Sequence, residues 1–351
     1  MAAPMSTNTV ELGFIEKVDN CRLFSRFFPS KVGGKPAWLE LKNLPKHDEL
    51  ICQTCGKPCV FVLQIYAPVP NKDSCFHRSV FVFLCKNTEC HKRNNSNSFL
   101  VLRSQLSRTN QFYDYEPPNE DEEKPENHPN PEDFETSLCR VCGCLGGKRC
   151  SKCHTASYCS REHQTIDWKK GHKMNCGDPG DLGFLFLEFE LVTEPENEGD
   201  EDQQSDDEKY SKYLESGADE KTQDFKIEEL QKMAVKETKE DKTFLAFKKR
   251  VDKEPEQVLR HQRGGQPLWV SNDNKPTAED IPPCSCGSPR QFEFQIMPQL
   301  LIHLNVDSVN ESIDWGTLLV YTCSNSCDEG PAYHKEFIWK QDVSSHQPDM
   351  E

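Results

Sequence analysis

"GGKPAW", residues 33–38, returns 231 positions later as "GGQPLW", residues 264–269. Two glycines, a proline and a tryptophan keep their internal spacing. Paired glycines suit a tight turn, proline stiffens it, and tryptophan needs a core to bury itself in. Laying residues 33–65 on 264–296 without gaps makes twelve of 33 positions identical. Average residue usage would give about two. The matches keep strand phase: Phe61, Leu63 and Ile65 fall on Phe292, Phe294 and Ile296. Gln291 to Ile296 alternates strictly, as a strand with one buried face does.

Outward from these landmarks, short β-branched and aromatic runs predict strands. They are "VFVLQIY" (60–66), "RSVFVFL" (78–84), "FLVLR" (99–103), "GFLFLEFELV" (183–192), "QFEFQIM" (291–297), "LLVYT" (318–322) and "KEFIW" (335–339). A helix is expected over 241–251, with Phe244, Phe247 and Val251 on one face. His303 in "LLIHLNV" reads as a satisfied sheet residue, and Asp314, Trp315 and Gly316 as a turn before a strand. The fold class is mainly β (α+β). Two pseudo-repeated β units form one body, because each alone would have a thin core.

Charge divides the chain further. Residues 114–135 carry ten acids and one lysine, and residues 188–208 eleven acids and no base. Together they hold −20 of a net −16, so the remainder is near +4. The zones are therefore 1–112, an N-terminal β unit; 113–136, a disordered acidic linker; 137–177, a cysteine module; 178–192, a returning strand; 193–240, a second disordered acidic linker; and 241–351, a C-terminal β unit. Such tracts are solvated, self-repelling linkers or attractors for a basic partner. Direct DNA binding is not expected, since phosphates would be repelled. No run of about 18 apolar residues suggests a membrane span, and no secretory leader is visible at the N-terminus. Ser205 in "SDDE" resembles an acidophilic kinase site, and chance in so acidic a tract explains it equally well.

The chain has 18 cysteines, many in close pairs beside histidines. Without a leader, that pattern favours zinc in a reducing compartment. Residues 139–176 pair as Cys139-x2-Cys142, Cys150-x2-Cys153, Cys159-x3-His163 and His172-x3-Cys176. Eight ligands fill two closed tetrahedral zinc sites and leave no open catalytic position. The x3 pairs would sit at i, i+4 on helices, two ligands on one face. Cys144 and His154 fall outside the pattern. In the outer units, Cys52, Cys55, Cys85 and Cys90 form one set, and Cys284, Cys286, Cys323 and Cys327 another. Two readings stay open for each: one zinc per β unit, or buried reduced thiols acting as small hydrophobes. Cys21, Cys59 and Cys75 have no partner by spacing.

The module resembles a MYND-type zinc finger through "YCSREHQ" (158–164), Trp168 and "HKMNC" (172–176). That resemblance implies two zinc ions, one at Cys139, Cys142, Cys159 and His163, the other at Cys150, Cys153, His172 and Cys176. Most such fingers have cysteine where His163 stands, and histidine is a competent ligand. Trp168 is expected in the core of the finger. In other proteins these fingers bind short peptides.

The order "GGKPAWL", "CQTCGKPCVFVLQIYAP", the finger, "FLAFKKRVDKEPEQVLRHQRGGQPLWVS", "CSCGSPRQFEFQIMPQL" and "IDWGTLLVYTCSNSC" resembles the programmed cell death protein 2 family over almost the whole chain. The resemblance implies a non-enzymatic chaperone or adaptor for a newly made small-subunit ribosomal protein, universal small-subunit protein five, in 40S ribosome biogenesis. It also implies a cytoplasmic and nuclear location and links to apoptosis, cell proliferation and stem-cell maintenance. The alternative is a transcriptional adaptor whose finger docks a corepressor peptide. A lysine methyltransferase is the enzymatic competitor, and its cofactor and catalytic signatures are not found.

Overall fold

The computed structural model describes residues 9–18, 20–119, 129–174, 176, 183–197, 239–306 and 312–343. Its strands in chain order are β1 (Glu11–Glu16), β2 (Lys31–Val32), β3 (Val60–Tyr66), β4 (His77–Leu84), β5 (Phe99–Leu106), β6 (Lys148–Arg149), β7 (Ser157–Tyr158), β8 (Phe189–Pro195), β9 (Leu259–His261), β10 (Arg290–Ile296), β11 (Thr317–Cys323) and β12 (Tyr333–Gln341). Ten of them close an antiparallel barrel in the order β1-β8-β2-β3-β4-β5-β12-β11-β10-β9, and β6 and β7 pair separately. Closure removes the free edges that exposed strands would offer to other chains.

Two four-stranded runs, β2–β5 and β9–β12, meet where Arg103 of β5 stands opposite His334 of β12. β1 and β8 complete the ring on the other side. Positions 231 apart hold the same local geometry. A bulge falls between Phe61 and Leu63 in one run and between Phe292 and Phe294 in the other. Gly33 and Gly264 have φ of 70° and 75°. A Cβ on Gly33 would stand 1.8 Å from the Leu187 carbonyl oxygen, so that turn requires glycine on two grounds. Gln64 Oε1 accepts from the Ala37 N–H (2.9 Å), and its Nε2 donates to the Ala37 carbonyl (3.1 Å). Gln295 makes the same two bonds to Leu268, at 2.7 and 3.1 Å. One glutamine thus pins each Gly-Gly-x-Pro loop to its sheet.

Strand alternation sorts side chains into two layers. Val80, Val82, Val101, Ile296 and Val320 point into the barrel core. Phe61, Phe81 and Phe83 point outward, where Trp38, Leu39, Leu41 and the cysteine module cover them. All eight residues of β4 are buried for that reason. Part of the barrel packing is polar. Arg78 binds Glu293 through two hydrogen bonds of 2.5 and 2.7 Å, and Arg103 binds Glu336 at 2.7 Å. All four side chains are fully buried, and both pairs join one four-stranded run to the other. Burial pushes the Glu293 carboxyl up, but the Arg78 charge and its two hydrogen bonds bring it well below its ordinary value.

Among the described residues the α-helices are α1 (Arg161–Asp167), α2 (Lys239–Val251) and α3 (Leu300–Leu304). In α2, Phe247 and Val251 pack on Val270 and Met297, while Phe244 of the expected face stays exposed. "LLIHLNV" forms α3 rather than a strand, so His303 is a helix residue. Leu300, Leu301 and Leu304 dock on the barrel core, a helical spacing that so short an apolar run does not declare. In "GFLFLEFELV" the strand starts only at Phe189 and continues to Pro195, with Leu187 exposed before it.

The expected disorder of 113–136 fails at both ends, because aromatic side chains there bury themselves. Tyr113 donates its hydroxyl to the carbonyls of Trp38 (3.2 Å) and Leu39 (2.8 Å), and Phe134 packs on Phe112 with ring centroids 4.9 Å apart. In the 193–240 zone, Glu196 accepts from Arg250 and Arg260 at 2.7 Å. Residues 120–128 and 198–238, Ser205 included, and the side chain of Cys21 lie outside the described residues. Among the described residues, no helix is long and apolar enough to cross a membrane.

Candidate metal centres

The chain between β5 and β8 folds on the outer face of β3 and β4 and gathers its thiols into two clusters. One holds Cys139, Cys142, Cys159 and His163, the other Cys150, Cys153, His172 and Cys176. Within each cluster the ligand atoms lie within 4.8 Å of one another. In the first, Cys142 Sγ is 3.7 Å from Cys159 Sγ, and His163 Nδ1 is 3.7 Å from Cys139 Sγ and 3.1 Å from Cys159 Sγ. In the second, Cys150 Sγ is 4.0 Å from Cys176 Sγ, and His172 Nε2 is 3.4, 3.6 and 3.3 Å from the sulfurs of Cys150, Cys153 and Cys176. Four ligands around zinc at a Zn–S distance of about 2.3 Å put sulfurs roughly 3.8 Å apart. A disulfide would need about 2.05 Å. The donor sets and spacings are compatible with zinc.

Local structure aims each ligand. Cys159 follows β7 directly. Ser160 then caps α1, its hydroxyl accepting from the His163 N–H at 3.1 Å, and that turn brings His163 back over Cys159. The x3 pairs do not share a regular helix as their spacing suggests. Cys159 precedes the cap, and a widened turn at Trp168–His172 breaks at Gly171 (φ 146°) before Cys176. The Cys139 thiol is pushed down because Cys142 and Cys159 donate to it, and Cys159 is pushed up by the same contacts.

Asp167 has no signal in the spacing. Its carboxylate is fully buried, accepts from the Tyr158 hydroxyl at 2.6 Å, and lies 3.1 Å from Arg140 Nε and 3.5 Å from His172 Nδ1. Because His172 presents Nε2 to the sulfurs, Asp167 stands on the other side of the ring, 3.5 Å from Nδ1, where its charge biases the ring's orientation without a hydrogen bond. Only the folded α1 puts that acid beside His172. Trp168, expected in the finger core, is 38% exposed, because the ring lies on the outside of the widened turn against His172, centroids 6.1 Å apart. Cys144 is buried beside the Cys142 carbonyl.

Both outer thiol sets also converge. Cys52, Cys55, Cys85 and Cys90 meet within 4.8 Å, as do Cys284, Cys286, Cys323 and Cys327. Cys59 and Cys75 stay single and buried, and burial pushes the Cys59 thiol up.

Three family models match the chain: "Programmed cell death protein 2, N-terminal domain" over 9–120, "MYND finger" over 139–176, and "Programmed cell death protein 2, C-terminal putative domain" over 241–342. None of the three describes a catalytic family. The chain is 48% identical over 353 residues to programmed cell death protein 2 of Rattus norvegicus, covering 96% of this chain and 97% of that protein. It is 29% identical over 337 residues to the human programmed cell death protein 2-like protein, covering 85% of each. It is 36% identical over 109 residues to "Probable 20S rRNA accumulation protein 4" of Schizosaccharomyces pombe, covering 28% of this chain and 26% of that protein. No solved structure matches the chain.

Proposed function

Since this chain belongs to the programmed cell death protein 2 family, we propose that it is a non-enzymatic, zinc-binding adaptor in ribosome biogenesis. On this reading it chaperones a newly made small-subunit ribosomal protein, universal small-subunit protein five, on the way to 40S assembly. The observation that carries the reading is the identity shared with a fission-yeast protein named for rRNA accumulation. Two zinc ions in the finger, held by the eight ligands at 139–176, make the inserted module rigid. The two barrel halves are read as copies of one ancestral unit, and the protein works in cytoplasm and nucleus.

Electrostatics supports such a client. Proteins that bind rRNA are basic and are prone to associate before they meet it. The two acidic tracts supply the opposite charge on either side of the finger, apart from acids paired to the barrel such as Glu188 with Lys31 and Glu196 with Arg250 and Arg260. The test is affinity capture of the chain from growing cells, with crosslinking mass spectrometry. Stoichiometric recovery of one small-subunit protein, reduced several-fold when residues 198–208 are deleted, is the expected result. Recovery of a corepressor without any ribosomal protein overturns it. That second reading is favoured by exposed Trp168, which leaves an aromatic surface on the finger for a peptide.

A further inference from the structure

We infer that the thiol clusters at the open ends of hairpins β3–β4 and β10–β11 are two further structural zinc sites, a four-cysteine centre in each half of the barrel. The two clusters of the finger provide an internal standard. Each finger cluster begins with a turn in which the residue after the second cysteine is left-handed and donates its N–H to the carbonyl of the first. Gly143 (φ 73°) donates to Cys139 at 2.8 Å, and His154 (φ 59°) donates to Cys150 at 3.0 Å. The barrel clusters repeat this turn. Gly56 (φ 68°) donates to Cys52 at 2.9 Å, and Gly287 (φ 84°) donates to Cys284 at 2.8 Å. Cys284-x-Cys286 lacks one residue of the usual pair, and the turn still closes. A turn of this kind points two sulfurs at one place.

The second pair of each cluster sits at the same topological point. Cys85 follows the last residue of β4, where Leu84 stands opposite Val60. Cys323 is the last residue of β11, opposite Arg290. An ion there ties the entry of one strand to the exit of its partner, at the end of the hairpin that no short loop closes. The sulfur spacings fit. Cys55 Sγ is 3.6 Å from Cys85 Sγ, Cys284 Sγ is 3.6 Å from Cys327 Sγ, and Cys286 Sγ is 3.6 Å from Cys323 Sγ. These are near the roughly 3.8 Å of a tetrahedral zinc thiolate and far from a disulfide.

Donors that favour thiolates are in place as well. The Asn87 N–H donates to Cys85 Sγ (3.4 Å), and Arg103 Nη2 donates to Cys327 Sγ (3.5 Å). A zinc ion with four thiolates is a dianion, and charge-assisted donors offset it. Packing as small hydrophobes would serve for the five buried sulfurs, Cys52, Cys85, Cys90, Cys284 and Cys323, but not for the three that close the two clusters from the solvent side. Cys59 and Cys75, which do pack that way, are fully buried, whereas Cys286 is exposed and Cys55 and Cys327 half-buried.

Native mass spectrometry of the full chain, purified without chelator, tests the inference. Four zinc ions per chain are expected. Two, or three, overturn it, because the clusters are argued as a pair. The double variant Cys286→Ser/Cys323→Ser should lose one zinc and keep the other three, and an unchanged count overturns the assignment. If that variant does not fold, zinc-edge X-ray absorption of the unaltered chain decides. Two centres with three cysteines and one histidine, and two with four cysteines, give an average shell between three and four sulfurs. A shell of three sulfurs and one nitrogen overturns the proposal. Alkylation after denaturation in chelator should modify all 18 cysteines. A mass short by two alkyl groups per blocked pair would mean disulfides and overturn it.

Discussion

The two halves of the barrel share turns, bulges and pinning glutamines, yet they are covered by different things. Over β3 and β4, the outward aromatic face lies beneath the loop after Trp38 and the finger, and Trp38 is 1% exposed. Over β10 and β11, the hydrophobic side chains packed on Phe292, Leu319 and Tyr321 among the described residues are the partly buried Trp269, Ile281, Phe337 and Trp339. Trp38 donates from Nε1 to the Gly143 carbonyl at 2.7 Å, inside the first knuckle of the finger. Trp269 carries the Lys275 ammonium 5.4 Å from its ring instead. The same motif residue is a connector in one half and a lid in the other. What covers a side chain sets its energetic weight, and the motif alone does not.

That contrast is broken most directly at the tryptophans. Trp38→Ala removes a buried indole, leaves a cavity and strands the Gly143 carbonyl, which should cost about 4 kcal/mol. Trp269→Ala, already wetted on one side, should cost about half as much. Urea unfolding of both variants measures the gap. Equal losses would mean the finger adds nothing to the N-terminal half.

These halves are legible in sequence where a residue's type announces its surroundings. The runs at 60–66, 78–84 and 318–322 alternate between two apolar layers, and each lies within a strand. β1, β2 and β9 carry no such signal. β1 contains Gly13, whose absent side chain lets it lie against Leu259, where a Cβ would be 2.9 Å from the leucine Cβ. β2 has two residues and β9 three, too short to carry a period. The finger's two clusters are legible in the spacing of its cysteines and histidines, and the structure gathers those eight side chains into two groups. Asp167 behind His172, and the use of His154 as the left-handed residue of a knuckle, depend on chain reversal and leave no spacing to read.

Asp167 offers the next test, since it should loosen the cover without touching the barrel. Asp167→Asn keeps the shape but weakens the orientation of His172, and should lower zinc affinity of the second finger site by about 10- to 100-fold. Competition with a chromophoric chelator reads this. Hydrogen exchange should then rise around Trp38 and leave the Trp269 loop unchanged. Equal rises in both loops would remove the finger as the selective cover.

The pinning glutamines should sharpen the likeness rather than the difference. Gln64→Ala and Gln295→Ala each leave a backbone N–H and a carbonyl without their side-chain partner, at a cost of roughly 1–2 kcal/mol. Similar losses in urea unfolding would show that the two loops are held alike, whatever lies above them. A much larger loss for one would show that the cover reaches down to the pin.

The smallest expected effect is a pH dependence of the covered half. His77 stacks on Phe28 with ring centroids 4.0 Å apart, and its Nδ1 is 3.1 Å from the Tyr66 hydroxyl. Burial, and then the nearby Arg108 charge, push its pKa down from 6.5 to about 4. A histidine depressed in the folded state takes up its proton first in the unfolded chain. Its contribution to stability is therefore full above pH 6.5 and is lost as pH falls towards 4. Between pH 7 and pH 5.5 that loss comes to about 1 kcal/mol. Zinc ligands protonate in acid too, so the measurement is a difference: urea unfolding at both pH values for the natural chain and for His77→Gln. The glutamine variant should lose about 1 kcal/mol less over that interval, and identical slopes would mean that His77 is hydrated and that the finger-side face is more open than its packing implies.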